Sequence, residues 1–160
     1  MADGVFNIAK GRIIELWNRV KANDPAASAL VVVLLKANEA EAALIDRDDL
    51  GAVLGAAGTT EADFTNYARK VLTDTDLAAL AFAPDDTNDR FDVDLGDQTW
   101  TAAGGAANNT LTKLLVCYDA DTAAGTDADI VPLAHYDFAV TTDGNDLIAQ
   151  FNAAGILRAS

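Results

Sequence analysis

Four aspartates crowd the stretch between Leu114 and Leu133: Asp119, Asp121, Asp127 and Asp129. Carboxylates are hard oxygen donors, and closely spaced ones supply both calcium sites and acid–base pairs. A helix–loop–helix calcium loop starting at Asp119 would use Asp121 as its third position. It then needs an oxygen ligand at the fifth position, glycine at the sixth and glutamate at the twelfth. The chain has Ala123, Ala124 and Ile130 there, so the pattern fails at all three. A looser site shared by two β-loops would draw on Asp85, Asp86 and Asp89. The favoured reading is a polar hairpin tip, whose aspartates and small residues keep it soluble and protect it from edge-to-edge pairing.

Nucleophilic catalysis finds little to work with. The sole histidine, His135, stands beside Tyr136 and Asp137, and the only serines are Ser28 and Ser160. One serine precedes a strand and the other is the last residue, so neither sits on a nucleophile elbow. His135 therefore reads as a surface or half-buried strand residue. The single cysteine, Cys117, lies inside LLVCY and reads as a small buried hydrophobe. No glycine-rich loop precedes a helix in the way a phosphate cradle requires. With 25 acidic residues, close carboxylate pairs arise by chance. The expectation is a protein without catalytic, metal-ligating or cofactor-binding residues, and not an enzyme.

The elements that would position these residues are short and turn-rich. Gly11–Val20 has helical periodicity, with Ile13, Leu16, Trp17 and Val20 on one stripe and Arg12, Glu15 and Arg19 opposite. Asn23, Asp24 and Pro25 end it. Ala29–Lys36 reads as a strand buried on both faces. Asp46–Ala57 reads as a short helix capped by Asp46 or Asp48 and ended by Gly58. Thr65–Thr73 reads as a strand, and Asp74–Ala83 fits either a helical turn or a strand extension. In Arg90–Leu95, Phe91, Val93 and Leu95 alternate with charged residues, the mark of a half-buried strand. Gln98–Ala103, Leu111–Tyr118, Ile130–Leu133 and His135–Val140 supply further strands, and Leu147–Leu157 completes a final hairpin. About seven short strands with a short N-terminal helix and one further short helix predict a mainly β fold, an antiparallel β-sandwich of jelly-roll-like type.

The chain has 160 residues, enough for one domain with a sizeable core. Half of it is hydrophobic, which excludes a disordered chain despite a net charge of −14. That charge excludes a broad basic face for nucleic acid. No apolar run approaches the roughly 20 residues needed to cross a bilayer, and the N-terminus has no apolar export segment. The charge is uneven. Residues 1–21 carry a net +2 through Lys10, Arg12, Arg19 and Lys21, and the remainder carries −16. This asymmetry divides the chain into an N-terminal helical docking segment, residues 1–25, and a β-sandwich domain, residues 26–160.

The segments MADGVFNIAKGRIIELWNRV, NYARKVLTD, DDTNDRFDVDLGDQTWTAAGG and AQFNAAGILRAS together resemble a family of small virion proteins of tailed bacteriophages. The resemblance covers most of the chain and carries no catalytic motif. It implies a non-enzymatic component of the head or tail, located in the virion after assembly in the host cytoplasm. Within that class the first expectation is a capsid decoration or cement protein. It would bind the major capsid protein or other virion proteins at capsomer junctions, as a homo-oligomer such as a trimer, without nucleic acid or membrane. The alternatives are a minor tail, neck or fibre-base protein, and a calcium-dependent carbohydrate-binding β-sandwich using Trp100, Tyr118 and Tyr136. The partner-binding residues expected from the charge split and the apolar stripe are Ile13, Leu16, Trp17, Val20, Arg12 and Arg19. That stripe needs a cover, because an isolated helix of about 10 residues is marginal in water. The cover is either the chain's own sandwich or a neighbouring subunit.

Overall fold

The computed structural model describes residues 3–80, 84–152 and 157–159. These form a mainly β, sandwich-like fold of antiparallel sheets with four short α-helices. The strands are β1 (Gly4–Val5), β2 (Ala29–Ala37), β3 (Thr60–Glu61), β4 (Lys70–Leu72), β5 (Pro84–Asp85), β6 (Arg90–Val93), β7 (Gln98–Trp100), β8 (Lys113–Asp119), β9 (Val131–Asp137), β10 (Leu147–Ala149) and β11 (Leu157–Ala159). The helices are α1 (Ile13–Lys21), α2 (Glu41–Leu44), α3 (Leu50–Leu54) and α4 (Asp74–Leu77). The main sheet runs β1-β9-β8-β2-β3, with β4 also pairing with β2. Smaller sheets pair β10 with β7, and β11 with β6 and β5.

The run ALVVVLL becomes the middle of the main sheet because β-branched and aliphatic side chains can be buried on both of its faces. Ala29 through Leu35 are all buried, and so are Lys113 through Tyr118 opposite them. Directly paired residues share a face. Val31, Val33 and Leu35 therefore lie with Cys117, Leu115 and Lys113, and the same face continues through His135 and Asp137 on β9. The opposite face carries Leu30, Val32 and Leu34 with Tyr118, Val116 and Leu114.

The N-terminal helix does not form a separate unit. Leu16, Trp17 and Val20 are buried, and with Phe6 and Ala9 they belong to the same apolar core as β2 and β8. The boundary expected at residue 25 thus separates no two cores. The apolar stripe is covered by the chain's own domain, β2 and α4 included, one of the two alternatives the sequence leaves open.

Local differences from the sequence reading have local causes. Asp49, not Asp46 or Asp48, caps α3: its side chain accepts from the Ala52 amide at 2.7 Å, and the helix ends at Gly55, before Gly58. Thr65–Thr73 keeps only Lys70–Leu72 as strand, because a turn at Phe64–Tyr67 places Asn66 at φ 70°. Two further single-turn helices, α2 and α4, fall where alanine and capping residues dominate; α4 carries a Thr73–Asp76 capping box. Residues 81–83 of the ambiguous Asp74–Ala83 segment lie outside the described residues. The expected final hairpin does not form, since β10 pairs with β7 and β11 with β6. The β8–β9 hairpin forms as expected, with a 3₁₀ turn at Asp127–Asp129 near its tip.

Candidate functional site

The densest group of titratable side chains inside the fold was not apparent in the sequence. Lys113 opens β8, and neither it nor His135 on β9 exposes any surface. The Lys113 ammonium donates to Asp137 Oδ1 at 2.7 Å, lies 3.6 Å from Glu41 Oε2, and lies 3.3 Å from His135 Nδ1. Antiparallel register brings these groups together: Lys113 pairs directly with Asp137, and Leu115 with His135. Helix α2 delivers Glu41 from the far side of the sequence. An ammonium can only donate, so His135 Nδ1 accepts from it and the ring proton sits on Nε2.

Among the described residues, His135 Nε2 has no hydrogen-bond partner. Gly4 lies directly above it on β1, where a Cβ would come within 2.7 Å of Nε2. Phe6 closes the remaining side, edge-on with ring centroids 5.6 Å apart. Burial lowers the imidazole's proton affinity below its ordinary range, and the Lys113 charge lowers it further; Glu41, Asp3 and Asp137 act in the opposite sense. Asp137 is held below the usual carboxylate range, chiefly by its hydrogen bond from Lys113. The expectation of a surface or half-buried His135 is corrected, because β1 roofs the ring. The arrangement can hold or release a proton, but in this conformation it offers no opening through which a ligand atom could reach Nε2.

A second ionic group draws in the aspartate-rich loop. The Arg69 guanidinium grips Glu61 through Nε and Nη2 at 2.8 and 2.7 Å, and Asp127 through Nη1 and Nη2 at 2.5 and 2.9 Å. Tyr67 donates to Glu61 at 2.8 Å and accepts from the Leu34 amide at 3.1 Å, which anchors the group to β2. The other aspartates shape the loop. Asp129 accepts from the Thr126 amide at 2.8 Å, Asp119 from the Asp121 amide and Asp121 from the Ala123 amide, both at 3.0 Å. A shallow recess of about 180 Å³ lies among them. In the other acidic loop, Asp85 binds Asn88 and pairs with Arg90. Among the described residues, no three His, Cys, Asp or Glu side chains converge in a way that could hold a metal ion.

The six residues expected to bind a partner divide into two sets. Leu16, Trp17 and Val20 lie in the chain's own core and are not available at the surface, which corrects their assignment. Ile13 is half-buried against the same core, while Arg12 and Arg19 are exposed. Arg19 is paired with Glu15 one helical turn back at 3.0 Å. An open groove follows this outer face of α1, lined by Ile14, Glu15, Asn18, Arg19, Ala22 and Asp24. Of the aromatic residues weighed for sugar stacking, Trp100 and Tyr118 are buried, and Tyr136 is half-buried edge-on to Phe151. Trp100 donates to the Ala68 carbonyl at 2.8 Å and lies under Lys70, so its faces are occupied. Ser28 is buried, and Ser160 lies outside the described residues.

One signal in the sequence pointed toward the buried group: a lysine at the start of an otherwise apolar strand. What hid it was the 11-residue connection between β8 and β9, which leaves their register undefined. No protein-family model, curated protein or solved structure matches the chain.

Proposed function

We propose that the chain is a non-enzymatic structural protein of a tailed-bacteriophage particle, acting as a decoration protein that docks on the capsid at junctions between capsomers. The supporting observation is the use made of its charged side chains. Arg69 ties the β8–β9 loop to the edge of the main sheet, Arg47 grips Glu39 through two hydrogen bonds at 2.8 and 2.7 Å, and Lys113 joins β8, β9 and α2. These contacts rigidify surface segments instead of converging on an open cleft. A rigid acidic body suits a component that binds by shape, whose interface depends on complementarity and not on titratable groups.

On this reading the docking surface is the outer side of α1, where Arg12 and Arg19 meet solvent, and not the buried stripe. These cations steer the body toward an acidic partner surface. Adding the purified protein to particles that lack it tests the reading, with bound copies counted by quantitative mass spectrometry. Binding in numbers comparable to the capsid subunits supports decoration. A handful of copies per particle points to the tail or neck, and no binding overturns both.

A further inference from the structure

We propose that β1 is a proton-gated latch, closed over neutral His135 and released from β9 when the imidazole takes up a second proton. The latch is small. Among the described residues its hydrogen bonds to the sheet edge include the two-residue pairing of Gly4 and Val5 with His135 and Ala134, the Phe6 amide to the Leu133 carbonyl at 3.0 Å, and Asp3 accepting from the Asp137 amide at 2.8 Å. Beneath it lies the one histidine of the chain, fully buried.

The second proton must enter at Nδ1, because Nε2 already carries the first. Nδ1 is the atom 3.3 Å from the Lys113 ammonium. Protonation therefore removes that hydrogen bond and sets two cations side by side without water. The groups facing the ring come from every packed element: Lys113 from β8, Asp137 from β9, Glu41 from α2, and Asp3 from the segment before β1. Asp137 and Glu41 are engaged with Lys113 and Asp3 with a backbone amide; among the described residues none of the three carboxylates hydrogen-bonds the ring, so they offset the new charge only at longer range. Opening the cover relieves this, against the cost of exposing part of the buried Phe6. Lifting Gly4 and Phe6 opens the Nε2 edge of the ring to water and leaves β2 and β8 paired. The geometry also requires glycine at position 4, since a side chain there would already meet the ring.

The sign follows by linkage. The closed form binds the extra proton less well than the open form, where the ring titrates near its ordinary value of about 6.5. Closure is thus complete above that value and weakens as pH falls below it. If the closed ring stays neutral throughout, the opening equilibrium rises about tenfold between pH 7.5 and pH 5.5. Asp137, held below the usual carboxylate range by Lys113, stays ionised in this window.

Amide hydrogen exchange on the intact chain, corrected for the intrinsic effect of pH, tests this. The amides of Phe6 and Asp137 are expected to lose about tenfold protection from pH 7.5 to 5.5, while those of Val32 and Val116 stay unchanged. Equal loss at all four would mean global unfolding and would overturn the latch, as would no loss at Phe6. In His135→Phe the pH dependence should vanish, and its persistence would assign it to other groups. Should that variant not fold, the nuclear magnetic resonance titration of the single histidine serves instead. A ring that titrates near 6.5 without any change in Phe6 protection would sink the proposal; a ring whose titration tracks the loss of Phe6 protection would support it.

Discussion

Arg69 and Asp127 stand 58 positions apart in the chain and meet through two hydrogen bonds, while the same guanidinium holds Glu61 through two more. One planar cation thus fastens the β8–β9 loop to β3 and the sheet edge. Arginine suits this role because its donors form a fixed fork that matches two carboxylates at once.

Replacing Arg69 by Met leaves two carboxylates facing each other without their cation. The site is partly open to water, so the cost lies between that of an exposed and a buried pair, about 2 kcal/mol. Urea unfolding at neutral pH measures it. Arg69 holds Asp127 below the usual carboxylate range. A carboxylate with a depressed folded value adds stability above its unfolded value of about 3.9, and that stability is lost as pH falls through the folded value. The difference between wild type and R69M should therefore be full at pH 6 and shrink below about pH 4.

The two ends of the Lys113–Asp137 pair should respond unequally. Asp137 is partly exposed, so Lys113→Met frees a carboxylate that water can solvate and puts an apolar side chain into a buried site. The expected loss is below about 1 kcal/mol. Asp137→Ala leaves the fully buried ammonium with Glu41 at 3.6 Å and without its 2.7 Å partner, and should cost clearly more than K113M. Comparing the two unfolding midpoints decides the matter, and a larger loss in K113M would refute the asymmetry.

Trp17 is among the largest fully buried side chains. Trp17→Ala should cost about 3–5 kcal/mol, and deletion of residues 2–21 should abolish cooperative unfolding followed by near-ultraviolet circular dichroism. Arg12→Glu should leave the unfolding midpoint nearly unchanged, Arg19→Glu should lower it slightly by setting two carboxylates one turn apart, and both should weaken association with particles. A stable truncated chain would return the stripe to the surface.

Burial pushes the Cys117 thiol up to about 12. It should stay unreactive toward a thiol reagent at pH 8 in the native protein and react on unfolding. Labelling across a urea gradient should then follow the global transition, since β2 and β9 flank Cys117 on both sides. Rapid labelling of the native chain would contradict that placement.

Much of the fold is legible from local pattern. The valine-rich run of β2, the apolar run around Cys117 and the stripe on α1 each bury what their periodicity says they must, because burial of apolar surface is set residue by residue. The class of fold follows from many short strands punctuated by turns. Pairing does not follow. Leu147–Ala149 carries nothing that chooses β7 over a neighbouring strand, and long connections leave register undetermined. The polar groups depend on that register. His135 looked like an ordinary strand residue until β1, more than a hundred positions away, closed over it. Asp127 looked like a solvated loop residue until the turn before β4 aimed Arg69 at it. Periodicity tells which side chains leave water; only the tertiary structure decides which charges go with them, because an ion pair forms between whatever groups the strand register brings within about 3 Å.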